Sequence, residues 1–158
     1  WGDDKAEGFE GAGTIFKIAA GSAADTIFKT SVDSLVLDGN YSGEIILNKT
    51  DSTLIMETAK SYTLPTNRRP VYLEISYRTQ TTLRVGLYGI NIVTGLVTNV
   101  PFINLNPSNG EWRKVYLNVA SEVSSFTNTK FKVYIKADHL NTQTQSQILL
   151  DNFQLIYQ

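Results

Sequence analysis

Apolar and polar residues alternate along most of this chain, and no segment longer than two turns carries an apolar stripe at helical spacing. The cleanest run is RPVYLEISYRT. It sets Val71, Leu73, Ile75 and Tyr77 on one face and Tyr72, Glu74, Ser76 and Arg78 on the other. TTLRVGLYG follows, with Leu83, Val85 and Leu87 against Thr82, Arg84 and Tyr88. The same reading predicts strands in GTIFKIAAG, in SLVLDG and SGEIIL on either side of the turn DGNYSG, and in STLIMETA. Further strands are expected in EWRKVYLNV, KFKVYIKA and QILLDNFQLIY. TGLVTNVPFINL reads as a strand interrupted by Pro101, which places it at an edge or a bulge. NPSNG is a turn, because Asn-Gly tolerates positive φ, and ASEVSSFTN has room for one helical turn. About nine or ten short, evenly spaced strands with little helix predict an all-β protein, a β-sandwich or barrel. With no internal repeat, linker or low-complexity stretch, residues 1–158 read as one domain.

The closing run SQILLDNFQLIYQ poses a specific problem. Strand periodicity sets Leu149, Asp151, Phe153, Leu155 and Tyr157 on one face and Ile148, Leu150, Asn152, Gln154 and Ile156 on the other. Asp151 is thereby expected among bulky apolar side chains, where a carboxylate is costly unless something pairs with it. Backbone N–H groups, an arginine such as Arg68 or Arg69, or a cation would each serve.

Charge and composition narrow the function classes. The formal net charge is -1, with no basic run, which disfavours nucleic acid, other polyanions and anionic membrane surfaces as partners. No stretch approaches transmembrane length, so direct membrane insertion is not expected. The absence of Cys removes disulfides and thiolate metal sites. The start WGDDKAEGFEG, without Met, fits a trimmed mature protein or a domain cut from a longer one. The sequons at Asn40 and Asn48 matter only in a eukaryotic secretory pathway.

Catalytic chemistry has little support. His139 is the sole histidine, and no G-x-S-x-G, H-E-x-x-H or phosphate-binding glycine loop occurs. Glu44, Glu57, Glu74 and Glu111 read as outward strand positions or turns, so no catalytic residue is assigned. The outward strand faces carry a different kind of chemistry. Trp112, Lys114, Tyr116 and Asn118 alternate with Arg113, Val115, Leu117 and Val119; Lys132, Tyr134 and Lys136 oppose Phe131, Val133 and Ile135. With Arg78, Arg84 and Tyr88 these positions mix rings with hydrogen-bonding groups, as a sugar-binding surface requires. Aromatic residues also favour half-buried sheet surfaces with no ligand at all.

Three stretches resemble galactose-binding-like jelly-roll domains, which include many carbohydrate-binding modules: EGFEG near the start, NGEWRKVYLNV in the last third and ILLDNFQLI at the end. The middle of the chain is also similar to domains of exported Bacteroidetes lipoproteins. This resemblance implies an antiparallel jelly-roll sandwich and a non-catalytic glycan-binding domain, extracellular, cell-surface or periplasmic, monomeric and part of a larger exported protein. Ligand binding would fall to Trp112, Tyr116, Tyr134 and Arg84, with Arg78, Tyr88 and Asn118. It further implies one structural calcium held by Asp151 and Glu10. The second reading is an adhesion or spacing domain of a surface lipoprotein with no glycan ligand. Rings clustered on one sheet would favour the first reading, and rings scattered over both would favour the second.

Overall fold

The computed structural model describes residues 5–157. Among them the chain forms eleven strands: β1 (Ala6–Glu7), β2 (Phe16–Ile18), β3 (Phe28–Thr30), β4 (Ser42–Leu47), β5 (Thr53–Thr58) and β6 (Val71–Thr79). These are followed by β7 (Leu83–Asn91), β8 (Val97–Leu105), β9 (Arg113–Asn118), β10 (Thr129–Asp138) and β11 (Ser146–Tyr157). One helical turn, α1 (Ala120–Val123), lies where ASEVSSFTN allows it. Two antiparallel sheets result. The first runs β3-β4-β11-β6-β9, with β1 also paired to β11; the second runs β2-β5-β10-β7-β8.

The alternation seen in the sequence builds the core. Leu73 and Ile75 from β6, with Ile45 and Leu47 from β4, meet Leu54 and Met56 from β5, Leu83 and Leu87 from β7, and Phe131, Val133 and Ile135 from β10. Phe16 and Phe153 join the sheets edge to face, with centroids 4.8 Å apart. The β-sandwich jelly roll expected from the sequence is therefore the fold. β8 is an edge strand, and its pairing with β7 is irregular at Gly86 and Pro101, where proline withholds a ladder donor. Asn109 and Gly110 both have positive φ, as the NPSNG turn requires.

Two expectations fail for identifiable reasons. SLVLDG is not a strand: Asp33–Leu35 form a 3-10 turn, and the segment continues as a loop over the first sheet. The Arg78 guanidinium donates to the Ser34 carbonyl at 2.9 Å, and the Asp38 N–H donates to Asp151. Side-chain bonds thus hold this segment where a ladder was expected; β3, three residues long and unforeseen, supplies the edge beside β4.

The other failure concerns Asp151. Pairing of β11 with β6 shifts between Asp151 and Gln154, and Asn152 lies in the left-handed region at φ 45°. This bulge reverses the side-chain alternation. Ile148 and Leu150 face the core before it, and Phe153 and Leu155 face the core after it. Asp151 pairs opposite Ser76 and so points to the other face of its sheet, away from Phe153 and Leu155. It is buried because the 31–41 loop lies over it.

Candidate functional site

The outer face of the β2-β5-β10-β7-β8 sheet carries a groove of about 500 Å³, within the size range of small-ligand sites. Lys17 on β2, Ile55 and Glu57 on β5, Lys132 on β10, and Tyr88 and Ile90 on β7 line it. Lys17, Ile55, Glu57 and Lys132 hold outward positions because their neighbours along the strand, Phe16, Leu54, Met56, Phe131 and Val133 among them, fill the core. Beside the groove, the Tyr88 and Tyr134 rings pack with centroids 4.5 Å apart, tilted by 35°. The Tyr134 hydroxyl crosses Gly86 and donates to the Asn99 side chain at 2.7 Å. A Cβ at Gly86 would collide with that hydroxyl, so the crossing depends on glycine.

Ionic pairs flank these rings. Glu57 Oε1 receives the Lys132 ammonium at 2.8 Å and the Lys17 ammonium at 3.3 Å. Burial works against the Glu57 charge, but the two ammoniums more than offset it and hold the carboxyl below its usual range. Arg84 and Asp138 pair at 2.7 Å near the far end of β10. Lys136 reaches rings instead, with its Nζ 4.5 Å from the Tyr134 centroid and 5.1 Å from that of Tyr88. Burial, reinforced by Tyr88, pushes the Tyr134 phenol upward, while Arg84 and Asn99 act in the opposite sense.

Of the residues singled out from sequence, Tyr88, Tyr134 and Arg84 meet on this face. Trp112, Tyr116, Asn118 and Arg78 belong to the other sheet. Trp112 immediately precedes β9, half-buried, and its indole N–H has no partner among the described residues. Tyr116 is 62% exposed with the Lys114 ammonium over its ring, and Lys114 in turn pairs with Glu74. Asn118 accepts from the Ala120 N–H at 3.1 Å at the start of α1. Arg78, as noted, clasps the 31–41 loop. Outward-facing rings are therefore found on both sheets, but the exposed ones, Tyr72 and Tyr116 among them, lie on the first; on the second, Tyr88 is half-buried and Tyr134 buried. Lys17 and Asn99 were not singled out, and from sequence Glu57 reads only as an outward strand position or turn. Their outward position is visible in the alternation, but Glu57 and Lys132 are 75 residues apart and meet only through the pairing of β5 with β10.

Asp151 accepts three bonds, from the Ser42 hydroxyl at 2.8 Å, the Asn152 N–H at 2.8 Å and the Asp38 N–H at 3.2 Å. Burial raises its pKa; these donors counter that, and the nearby Asp38 charge adds to the rise. Glu10 accepts from the Tyr41 and Asn40 N–H groups at 2.8 and 2.7 Å, which lower its pKa. Both carboxylates thus grip one loop, residues 38–41. Gly39, at φ +68°, lets Glu10 come so close that a Cβ would overlap its carboxylate. Calcium requires six to eight oxygens, whereas most donors here are N–H hydrogens aimed at the carboxylates. The donor set fits a hydrogen-bonded clasp better than a cation. Among the described residues no group of three or more His, Asp or Glu is arranged to hold a metal.

No family profile matches the chain, and no curated protein matches it. Solved structures of similar fold do. A family 11 carbohydrate-binding module from Clostridium thermocellum, in complex with a mixed-linked β-1,3-1,4 tetrasaccharide, superposes with a TM-score of 0.62 at 13% identity, covering 97% of this chain and 95% of that one. The C-terminal family 22 module of Clostridium thermocellum Xyn10B gives 0.61 at 14% identity, with 96% and 92% covered. TmCBM61, in complex with β-1,4-galactotriose, gives 0.55 at 14%, with 90% and 88% covered. The chain has the jelly-roll fold of carbohydrate-binding modules. At these identities the likeness concerns the fold.

Proposed function

We propose that this chain is a non-catalytic, carbohydrate-binding-module-like domain of an exported or cell-surface bacterial protein, and that it takes a glycan in the groove on the β2-β5-β10-β7-β8 sheet. The groove with its adjoining Tyr88–Tyr134 pair carries this reading. It offers the half-buried Tyr88 ring together with carboxylate, amide and ammonium groups, which is the mixture a sugar's C–H faces and hydroxyls require. The oligosaccharides bound by the family 11 and family 61 modules support the ligand class.

A binding role also suits the carboxylates of this face. Asp138 pairs opposite Thr53, and Tyr134 opposite Glu57, so Glu57 and Asp138 are four positions apart along the strands. That is about 13 Å at strand rise, wider than the roughly 5–9.5 Å that glycoside cleavage uses. Both are also engaged by cations.

A binding screen against a broad glycan panel, with calcium and again with chelator, tests the proposal. Wild type is expected to give a specific hit that Tyr88→Ala abolishes while remaining folded. A blank panel from folded protein would overturn it.

The second reading, an adhesion or spacing domain, draws on the apolar tip between β7 and β8. There Ile92, Val93 and Leu96 are 61%, 75% and 67% exposed. A protein neighbour docked on that tip would bury them.

A further inference from the structure

The charges of this near-neutral chain are unevenly spread. Of its 14 Lys and Arg, five hold outward positions on the β2-β5-β10-β7-β8 sheet: Lys17, Arg84, Lys130, Lys132 and Lys136. Among the described residues, the only Asp and Glu that do are Glu57 and Asp138. Net charge therefore misdescribes this face, which is cationic.

The two carboxylates do not cancel the excess. Glu57 is shared by two ammoniums, and Asp138 neutralises Arg84 alone. Among the described residues neither Lys130 nor Lys136 pairs with a carboxylate. Lys136 lies across the Tyr88 and Tyr134 rings, so the ring surface on which a neutral pyranose would stack already holds an ammonium. Ring contact strips part of the water from that ammonium without neutralising it, which readies it for an anion. Along β10, Lys130, Lys132 and Lys136 share one face, with steps of about 7 Å and about 13 Å and Tyr134 between the last two.

Resting on the glycan reading above, we propose that the ligand of this face is an acidic glycan, an oligomer or polymer bearing uronic-acid carboxylates, with Lys136 as a principal anion contact. Single exposed ion pairs contribute little, so affinity comes from several pairs formed along one chain and weakens with salt. A repeating uronate meets both conditions.

The test titrates the 158-residue chain with three probes: an oligogalacturonate, the same oligomer with its carboxyls methyl-esterified, and a single-stranded oligodeoxynucleotide of matched charge. Each titration is run at about 0.01 M and about 1 M salt, where the Debye length falls from about 30 to about 3 Å. The acid form should bind at least about tenfold more tightly than the ester at low salt, a gap of about 1.4 kcal/mol. High salt should close most of that gap. Lys136→Gln should also remove most of it; Lys130→Gln, at an exposed position, provides a second variant should the first fold poorly. Equal binding of acid and ester overturns the acidic preference and leaves the glycan reading standing. Binding of neither by folded protein overturns both. An oligonucleotide bound as tightly as the uronate overturns the proposal in favour of general polyanion attraction.

Discussion

The Tyr134 hydroxyl reaches across β7, over Gly86, to donate to Asn99 at 2.7 Å, tying the middle of the sheet to its edge strand. Tyr134 is 3% exposed, so this bond also fixes the ring on which Lys136 rests. Tyr134→Phe should cost about 1 kcal/mol and leave the ring in place. Gly86→Val should cost more, about 1–3 kcal/mol, and displace the ring, with glycan binding lost. Urea denaturation and a binding titration on both variants check this; equal effects would mean that the crossing is incidental.

Trp112 and Tyr88 separate the two faces. The groove reading expects Tyr88→Ala to abolish glycan binding and Trp112→Ala to leave it unchanged, since Trp112 lies beside the other sheet. The reverse result would move the site to the face that carries Tyr116 and Asn118.

Glu57 gives the domain a dependence on acid. Its folded pKa is lowered, so its contribution to stability is complete above the unfolded value, 4.5 in ordinary carboxylates, and is lost as pH falls through the lower folded value. Glu57→Gln should flatten that part of the stability–pH curve and lower stability near neutral pH. The same substitution frees two ammoniums, so uronate affinity should rise. Thermal melts between about pH 3 and 7, compared for wild type and variant, measure the first effect; parallel curves would sink it.

Asp151 behaves in the opposite sense. Its folded pKa is raised above the usual 3.8, so the buried charge costs stability at neutral pH, and that cost is relieved as pH falls through the folded value toward the unfolded one. Removing the side chain is worse than keeping the charge. Asp151→Ala strands the Ser42 hydroxyl, which is fully buried, together with the Asn152 and Asp38 N–H groups; the expected loss is about 2–4 kcal/mol.

Calcium bears on the same clasp. With N–H donors already occupying Asp151 and Glu10, the melting temperature is expected to be the same in calcium and in chelator. A rise of several degrees with calcium would restore the metal expected from the resemblance, since a cation bound only by the folded state must stabilise it.

Much of the site was legible one strand at a time. The alternation in KFKVYIKA placed Tyr134 and both flanking lysines outward, and that in TTLRVGLYG did the same for Arg84 and Tyr88. What it lacked was adjacency. EWRKVYLNV shows the same pattern of ring and polar residues, so Trp112 and Tyr116 looked equivalent to Tyr134 while lying on the opposite sheet. Lys17 drew no notice, and Glu57 reads only as an outward position or turn, because a lone ion on a strand carries no signal until its partner is known.

Alternation at period two therefore determined the all-β class, most of the strands and the inward residues of each, because a half-buried strand needs one apolar face wherever it sits. Strand order was decided only in the tertiary structure, since pairing joins residues far apart in the chain and any exposed ladder edge can accept several partners. The face of Asp151 was decided there as well. One residue in the left-handed region, Asn152, reverses every assignment beyond it, and what stabilises that bulge is a loop more than 100 residues earlier, bound through Asp38 and Ser42. Segregation of charge onto one sheet follows from the same cause: a sum over the sequence keeps no record of which strands become neighbours.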